Sequence, residues 1–306
     1  MLATLGVAVA LAAAAVLALL LLLWWGQERI VFQPSGAPYP EPREARRLDY
    51  RAEDGQPLFA LVVGDDAAAR PAIHPPAVGG YPPKAGAWPA AAGAREAGGW
   101  APGGALLVFH GNADLAAWRV PWAREVARRT GRLVVLAEYR GYGGLPGPPT
   151  AAGVGRDARA ALRAVREELG VPAGRVALYG HSLGSAVAAE LAAEAPPEVL
   201  VLEAPFTSAR AMARIVTTRA VELVWGLISR VPYDTERRVA ALDAPVWVVH
   251  GERDLIIPAR MGRSVYAAAR RKGELLIVPR AGHNDVADAG GEEYWRWLER
   301  ALRAER

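Results

Sequence analysis

The chain contains no cysteine. Disulfides, a thiol nucleophile and cysteine-ligated metals are therefore excluded, although the absence names no compartment. Lysine is nearly absent as well, so arginine supplies almost all of the positive charge. Those arginines are scattered, the net charge is only +4, and no basic stripe is interleaved with aromatics, which argues against a nucleic-acid partner. The histidines form no cluster with acidic residues at metal-ligand spacing. There is no phosphate-binding loop, and GYGGLPG (141–147) lacks the context of a dinucleotide fingerprint. No metal or organic cofactor is expected.

Of the 306 residues, 52% are hydrophobic and 22% charged, a balance that suits one large buried core better than disorder or two small domains. Residues 2–25, LATLGVAVALAAAAVLALLLLLWW, carry no charged side chain. A helix of that length spans about 36 Å, enough to cross a hydrocarbon layer of about 30 Å. Trp24 and Trp25 stand where an interfacial aromatic belt would lie. A cleaved signal peptide is the alternative, opposed by the missing charged leader, the length of the run and the poor cleavage site in WWGQER. The expectation is a transmembrane anchor over 1–26 that contacts membrane lipid, followed by one domain over 27–306. Arg29, Arg43, Arg46 and Arg47 follow the span and no charge precedes it, which favours a cytoplasmic domain.

After the anchor, RIVFQPSGAPYPEPRE is a proline-broken connector, and residues 46–64 read as two strands joined at Asp54-Gly55. Residues 65–104 are dominated by Ala, Pro and Gly and read as a surface insertion, whose His74, Trp88 and Trp100 are given no role. Beyond it, apolar runs at 105–109, 132–139, 175–180, 198–204, 245–251 and 274–279 alternate with helical patterns at about 114–130, 152–169, 183–195, 257–272 and 291–305. The runs are apolar on both faces, as strands of a covered sheet are. The alternation predicts an α/β fold, a doubly wound, mostly parallel sheet with helices on both faces. Chemistry in such a sheet belongs beyond the carboxyl ends of its strands.

Three of those ends carry reactive residues. Ser182 follows the run RVALY in GHSLG, a G-x-S-x-G arrangement that places a serine on a strained strand-to-helix turn. Gly180 and Gly184 remove side chains that would clash there, and the amide of Leu183 points to where an oxyanion would form. Asp254 stands just past the run VWVVHG, and His283 past ELLIVP. An imidazole is needed to take and return the serine proton, and a carboxylate to fix its tautomer. The chain order Ser182, Asp254, His283 is the one expected of this elbow. After ALLVF, the His110-Gly111-Asn112 turn offers the second oxyanion donor, with Asn112 ahead of Ala113. Glu203 is the rival to Asp254 as the orienting acid. His110 is read as ordering its turn, His181 as packing or hydrogen-bonding locally, His250 as a satisfied buried histidine and Asp285 as loop chemistry.

Taken together, HGNA, EYRGYGGLPGPPT, GHSLGSA, LEAPFTS, HGERDLIIP and AGHND resemble membrane-anchored α/β-hydrolases, a group that includes protein depalmitoylases and lysophospholipid lipases. The resemblance implies the α/β-hydrolase fold, with Ser182, Asp254 and His283 as triad and Asn112 and Leu183 at the oxyanion hole. YRGYG (139–143) matches a loop near the active site, and about 208–240 matches the cap over the pocket. In the cap, Met212, Ile215, Val216, Leu223, Val224 and Leu227 recur at helical spacing. That face lines an acyl-chain site, lies toward a bilayer or packs on the core. The expected activity is cleavage of a small-molecule or lipid acyl ester or thioester. An amidase of the serine aminopeptidase type and an idle binding scaffold are the alternatives.

Overall fold

The apolar runs become the strands of one eight-stranded sheet. A computed structural model describes residues 2–40, 42, 44–64 and 104–303. The strands are β1 (Arg46–Arg51), β2 (Pro57–Val63), β3 (Ala105–Phe109), β4 (Leu133–Ala137), β5 (Val176–His181), β6 (Leu200–Glu203), β7 (Val246–Gly251) and β8 (Lys272–Val278). Their spatial order is β1-β2-β4-β3-β5-β6-β7-β8. The β1–β2 hairpin and the β2–β4 pair are antiparallel, and every pair from β4 to β8 is parallel. The hairpin turns at Gly55 with φ 79°, as Asp54-Gly55 predicts.

The helices are α1 (Leu2–Val31), α2 (Val120–Thr130), α3 (Ala151–Glu167), α4 (Leu183–Glu194), α5 (Ala209–Val216), α6 (Arg219–Ile228), α7 (Thr235–Ala241), α8 (Ala259–Ala268) and α9 (Val286–Leu302). Side chains alternate across each strand, so Leu107 and Phe109 of β3 share the core on one face with residues of α3, α4 and α8. Leu106 and Val108 pack with α2 and α9 on the other face. The sheet is thus covered on both sides, which is why its central strands β3, β4, β5 and β6 are buried throughout.

Several boundaries differ from expectation for local reasons. The helix expected over 114–130 starts as a 3₁₀ turn at Ala116–Arg119, and α2 follows with proline in its first turn. The helix expected to 272 ends at Ala268, because Lys272 already pairs with Val246 of β7. Gly273 is needed there, since a Cβ would meet the Trp247 ring at 2.2 Å. The final helix begins at Val286 and kinks at Gly291. The cap is three helices rather than one amphipathic run. Thr217 leaves helical geometry and Thr218 caps α6, its hydroxyl accepting from Val221 N at 3.4 Å. Its apolar residues part accordingly: Met212 and Ile215 pack against the core, whereas Val216, Leu223 and Leu227 are exposed.

α1 covers the expected span 2–25 and continues to Val31, past the expected anchor boundary at 26. Many of its side chains lie outside the described residues. Among the described residues, no helix is long and apolar enough to cross a membrane. The expected insertion, with His74, Trp88 and Trp100, lies outside the described residues except for Gly104.

Candidate active site

β5 delivers Ser182 to the top of the sheet and α4 leads away from it. Ser182 has φ 53° and ψ −118°, a backbone state that an L residue occupies only when its surroundings impose it. What imposes it is the closeness of strand and helix. A Cβ at Gly180 would lie 2.2 Å from the Gly184 carbonyl oxygen, and one at Gly184 would lie 2.1 Å from that of Phe109. Neither glycine can therefore be replaced without moving backbone. The Leu183 amide, first in α4, lies among the N–H groups that a helix start leaves without an intrahelical partner.

Ser182, Asp254 and His283 come together. The Ser182 hydroxyl lies 2.9 Å from His283 Nε2, and His283 Nδ1 lies 2.7 Å from Asp254 Oδ2. Asp254 is held in turn: its Oδ1 accepts from the amides of Ile256 and Ile257, both at 2.8 Å. Burial pushes the Asp254 carboxyl up, but hydrogen bonds from His250 and His283 outweigh it and hold the carboxyl well below the usual carboxylate range. Glu203 is not the partner of His283 here. Its carboxyl takes the Tyr179 hydroxyl and, buried, is pushed up.

The loop after β3 adjoins Ser182, and a Cβ at Gly111 would meet His181 Nδ1 at 2.8 Å and Ser182 Cβ at 3.4 Å. Ala113 N already donates to the Gln33 carbonyl at 3.1 Å, which leaves the Asn112 amide as the second oxyanion candidate. The Asn112 side chain is also engaged, as Oδ1 accepts from Gln33 N at 2.8 Å and Tyr142 Oη at 2.7 Å. His110 orders the turn as expected, with Nδ1 donating to Gly111 O at 2.8 Å and Nε2 to Glu138 at 2.7 Å. Burial disfavours its charge, yet the Glu138 carboxylate prevails and raises it. Asp285 accepts from Gly282 N at 2.6 Å, a loop role.

Two histidines depart from expectation. His181 hydrogen-bonds partners distant in sequence: its Nε2 donates to the His283 carbonyl at 3.2 Å, and Arg119 donates to its Nδ1 at 2.7 Å. Burial, then Arg119, push it down, so it is a neutral brace. His250 is buried but only half satisfied. Its Nε2 donates to Ile257 O at 2.7 Å and lies 3.2 Å from Asp254 Oδ2, while its Nδ1 has no partner. Among the described residues, no group of three His, Asp or Glu side chains is disposed to hold a metal ion.

Residues 104–213 match the profile of the alpha/beta hydrolase fold family. An uncharacterised protein of Mycobacterium tuberculosis is 32% identical over 284 residues, covering 90% of this chain and 87% of that one. The alpha/beta hydrolase domain-containing protein WAV2 of Arabidopsis thaliana is 31% identical over 210 residues, covering 63% of this chain and 68% of that one. The chain belongs to the α/β-hydrolase family. The fold of this hydrolase is also similar to that of a Pyrococcus furiosus esterase, with a TM-score of 0.61 at 16% identity over 89% of this chain and 97% of that one.

The sequence alone missed three supports of the hydrolase site: Arg119, His250 as a neighbour of Asp254, and the segment 31–33 against Asn112. Only His250 had a signal, standing four residues before Asp254 on the strand that leads to it.

Proposed function

We propose that this α/β-hydrolase is a serine hydrolase of carboxylic esters or thioesters, held at a membrane by residues 2–25 with its catalytic domain on the cytoplasmic side. The observation that carries the catalytic reading is the continuous relay from Ser182 Oγ to His283 Nε2 at 2.9 Å and from His283 Nδ1 to Asp254 at 2.7 Å. The hydroxyl attacks the acyl carbon and gives its proton to His283 Nε2. Asp254 accepts from Nδ1–H and stabilises the imidazolium. The amides of Asn112 and Leu183 donate to the oxyanion. Collapse expels the alcohol or thiol with the proton from His283, leaving an acyl-Ser182 ester. Water then repeats the sequence and frees the acid.

The anchor is supported by the uncharged run 2–25, and its orientation by the arginines that follow. The catalytic reading is tested by labelling the protein with a fluorophosphonate and measuring turnover of a short-chain nitrophenyl ester. Ser182→Ala abolishes labelling and lowers kcat by about 10⁶-fold. Equal labelling of both forms would sink the assignment.

A further inference from the structure

We propose that the end of α1 and the residues after it are a working part of the oxyanion hole, with the Asn112 side chain as the positioning residue that couples them. This rests on the reading of the Asn112 amide as an oxyanion donor. That amide is useful only if the turn after β3 keeps it aimed, and the His110 bond to the Gly111 carbonyl holds only the start of that turn. Ala113 sits at φ 52°, a conformation that a non-glycine residue leaves unless it is held.

The holding contacts come from about eighty residues earlier in the chain. Asn112 Oδ1 accepts from Gln33 N at 2.8 Å and Asn112 Nδ2 donates to Val31 O at 2.8 Å. Ala113 N donates to Gln33 O at 3.1 Å. Residues 31–33 thus grip both faces of the Asn112 amide group and the backbone beside it. Tyr142 adds its hydroxyl to Asn112 Oδ1 at 2.7 Å, fixing the same side chain from the 139–143 loop. Phe32, between the gripping residues, is buried, with its ring edge-on to Tyr233 at 6.2 Å.

The same end of α1 is fastened to the cap. Arg230 N donates to Gln27 Oε1 at 2.5 Å and the Arg230 guanidinium lies 3.5 Å from Glu28 and 4.4 Å from the Trp24 ring centroid. One short segment therefore ties the oxyanion loop to the cap. Loosening it frees Ala113 to leave its left-handed state and turns the Asn112 N–H away from the acyl oxygen. Ser182, held by β5 and α4, stays in place. The predicted defect is in kcat, with substrate binding and nucleophile intact.

The test uses the full chain, with active sites counted by fluorophosphonate titration and kcat expressed per titrated site, so that misfolded protein does not enter. Asn112→Ala keeps the backbone amide but removes all three side-chain hydrogen bonds. The expected result is a fall in kcat per site of about 100-fold, the scale of losing one oxyanion donor, with KM changed by less than about threefold. Tyr142→Phe removes one of the three bonds and loses about threefold to tenfold in kcat by the same logic. A kcat per titrated site within threefold of the wild type in Asn112→Ala overturns the coupling while leaving the hydrolase reading intact. A wild-type chain that neither labels nor turns over overturns that reading, and the coupling with it.

Discussion

Replacing Asp254 by Asn is the sharpest perturbation of the relay, because the structure dictates which way the amide must point. The carboxylate has Ile256 N and Ile257 N donating to Oδ1, both at 2.8 Å, and His283 Nδ1 at 2.7 Å and His250 Nε2 at 3.2 Å on Oδ2. All four neighbours are donors, and an Asn has one acceptor atom. Pointing its NH₂ at the two backbone amides opposes donors that cannot move, so the carbonyl keeps that side and the NH₂ faces His283. His283 must then accept at Nδ1 and carry its proton on Nε2, where it cannot take the Ser182 proton. The expected loss in kcat is about 10⁴-fold, equivalent to about 5 kcal/mol in the barrier. No rescue by titration is available near neutrality. The Asp254 carboxyl lies well below the usual range, so its contribution is present above about pH 3.9 and disappears only as pH falls through the folded value. The assay is nitrophenyl ester turnover per folded protein, with Glu203→Gln as comparator, expected to stay within about tenfold because Glu203 serves Tyr179 rather than His283. An Asp254→Asn enzyme within tenfold of wild type, or a Glu203→Gln enzyme that is the more damaged of the two, would refute the assignment of the acid.

Gly184→Ala forces a Cβ to within 2.1 Å of the Phe109 carbonyl oxygen and 2.6 Å of that of His110. Overpacking against backbone is expected to cost about 3 kcal/mol, a fall in melting temperature of roughly 6–12 °C, and an unchanged melting curve would show that elbow and strand are not locked together. His110 supplies a pH signature of opposite sign to Asp254. Its folded value is raised, so its stabilisation is complete below about pH 6.5 and fades as pH rises through the folded value. The stability gap between wild type and His110→Asn, measured by denaturant from pH 5.5 to 9, should shrink as pH rises; a constant gap would mean that His110 is not charged in the fold.

The parts of the fold that follow from repetition were legible. The six runs beyond residue 104 became β3 to β8, the central ones because a strand covered on both faces must be apolar throughout. The convergence of Ser182, Asp254 and His283 was legible for a related reason, since strand ends are fixed by those runs and each of the three stands just past one. Position in the chain gave no access to the cross-links. Nothing in FQP (32–34) indicates that its backbone grips Asn112, and nothing in AAWR (116–119) indicates that Arg119 reaches His181. Such contacts depend on how loops fold over the sheet edge, and a single side chain in a loop has no periodicity to betray it. The cap was legible as helical, but its break was not. Its apolar residues recur at helical spacing, but the break at Thr217 rotates α6 relative to α5 and leaves Leu223 and Leu227 outside.

The four described histidines show how partners, rather than residue type, assign roles around this site. His110 faces two acceptors, the Gly111 carbonyl and Glu138, so both ring nitrogens donate and the ring is tied up as a cation. His181 faces the Arg119 donor on one nitrogen, which keeps that nitrogen bare and the ring neutral. On His250, Nε2 is committed to Ile257 O, and its Nδ1 is walled by α8, where a Cβ at Gly262 would lie 2.3 Å away. His283 alone of the four has a fixed acceptor behind one nitrogen and a hydroxyl in front of the other. A base must be able to gain a proton on one side while its other side is held, and that asymmetry is what the proposed mechanism asks of His283.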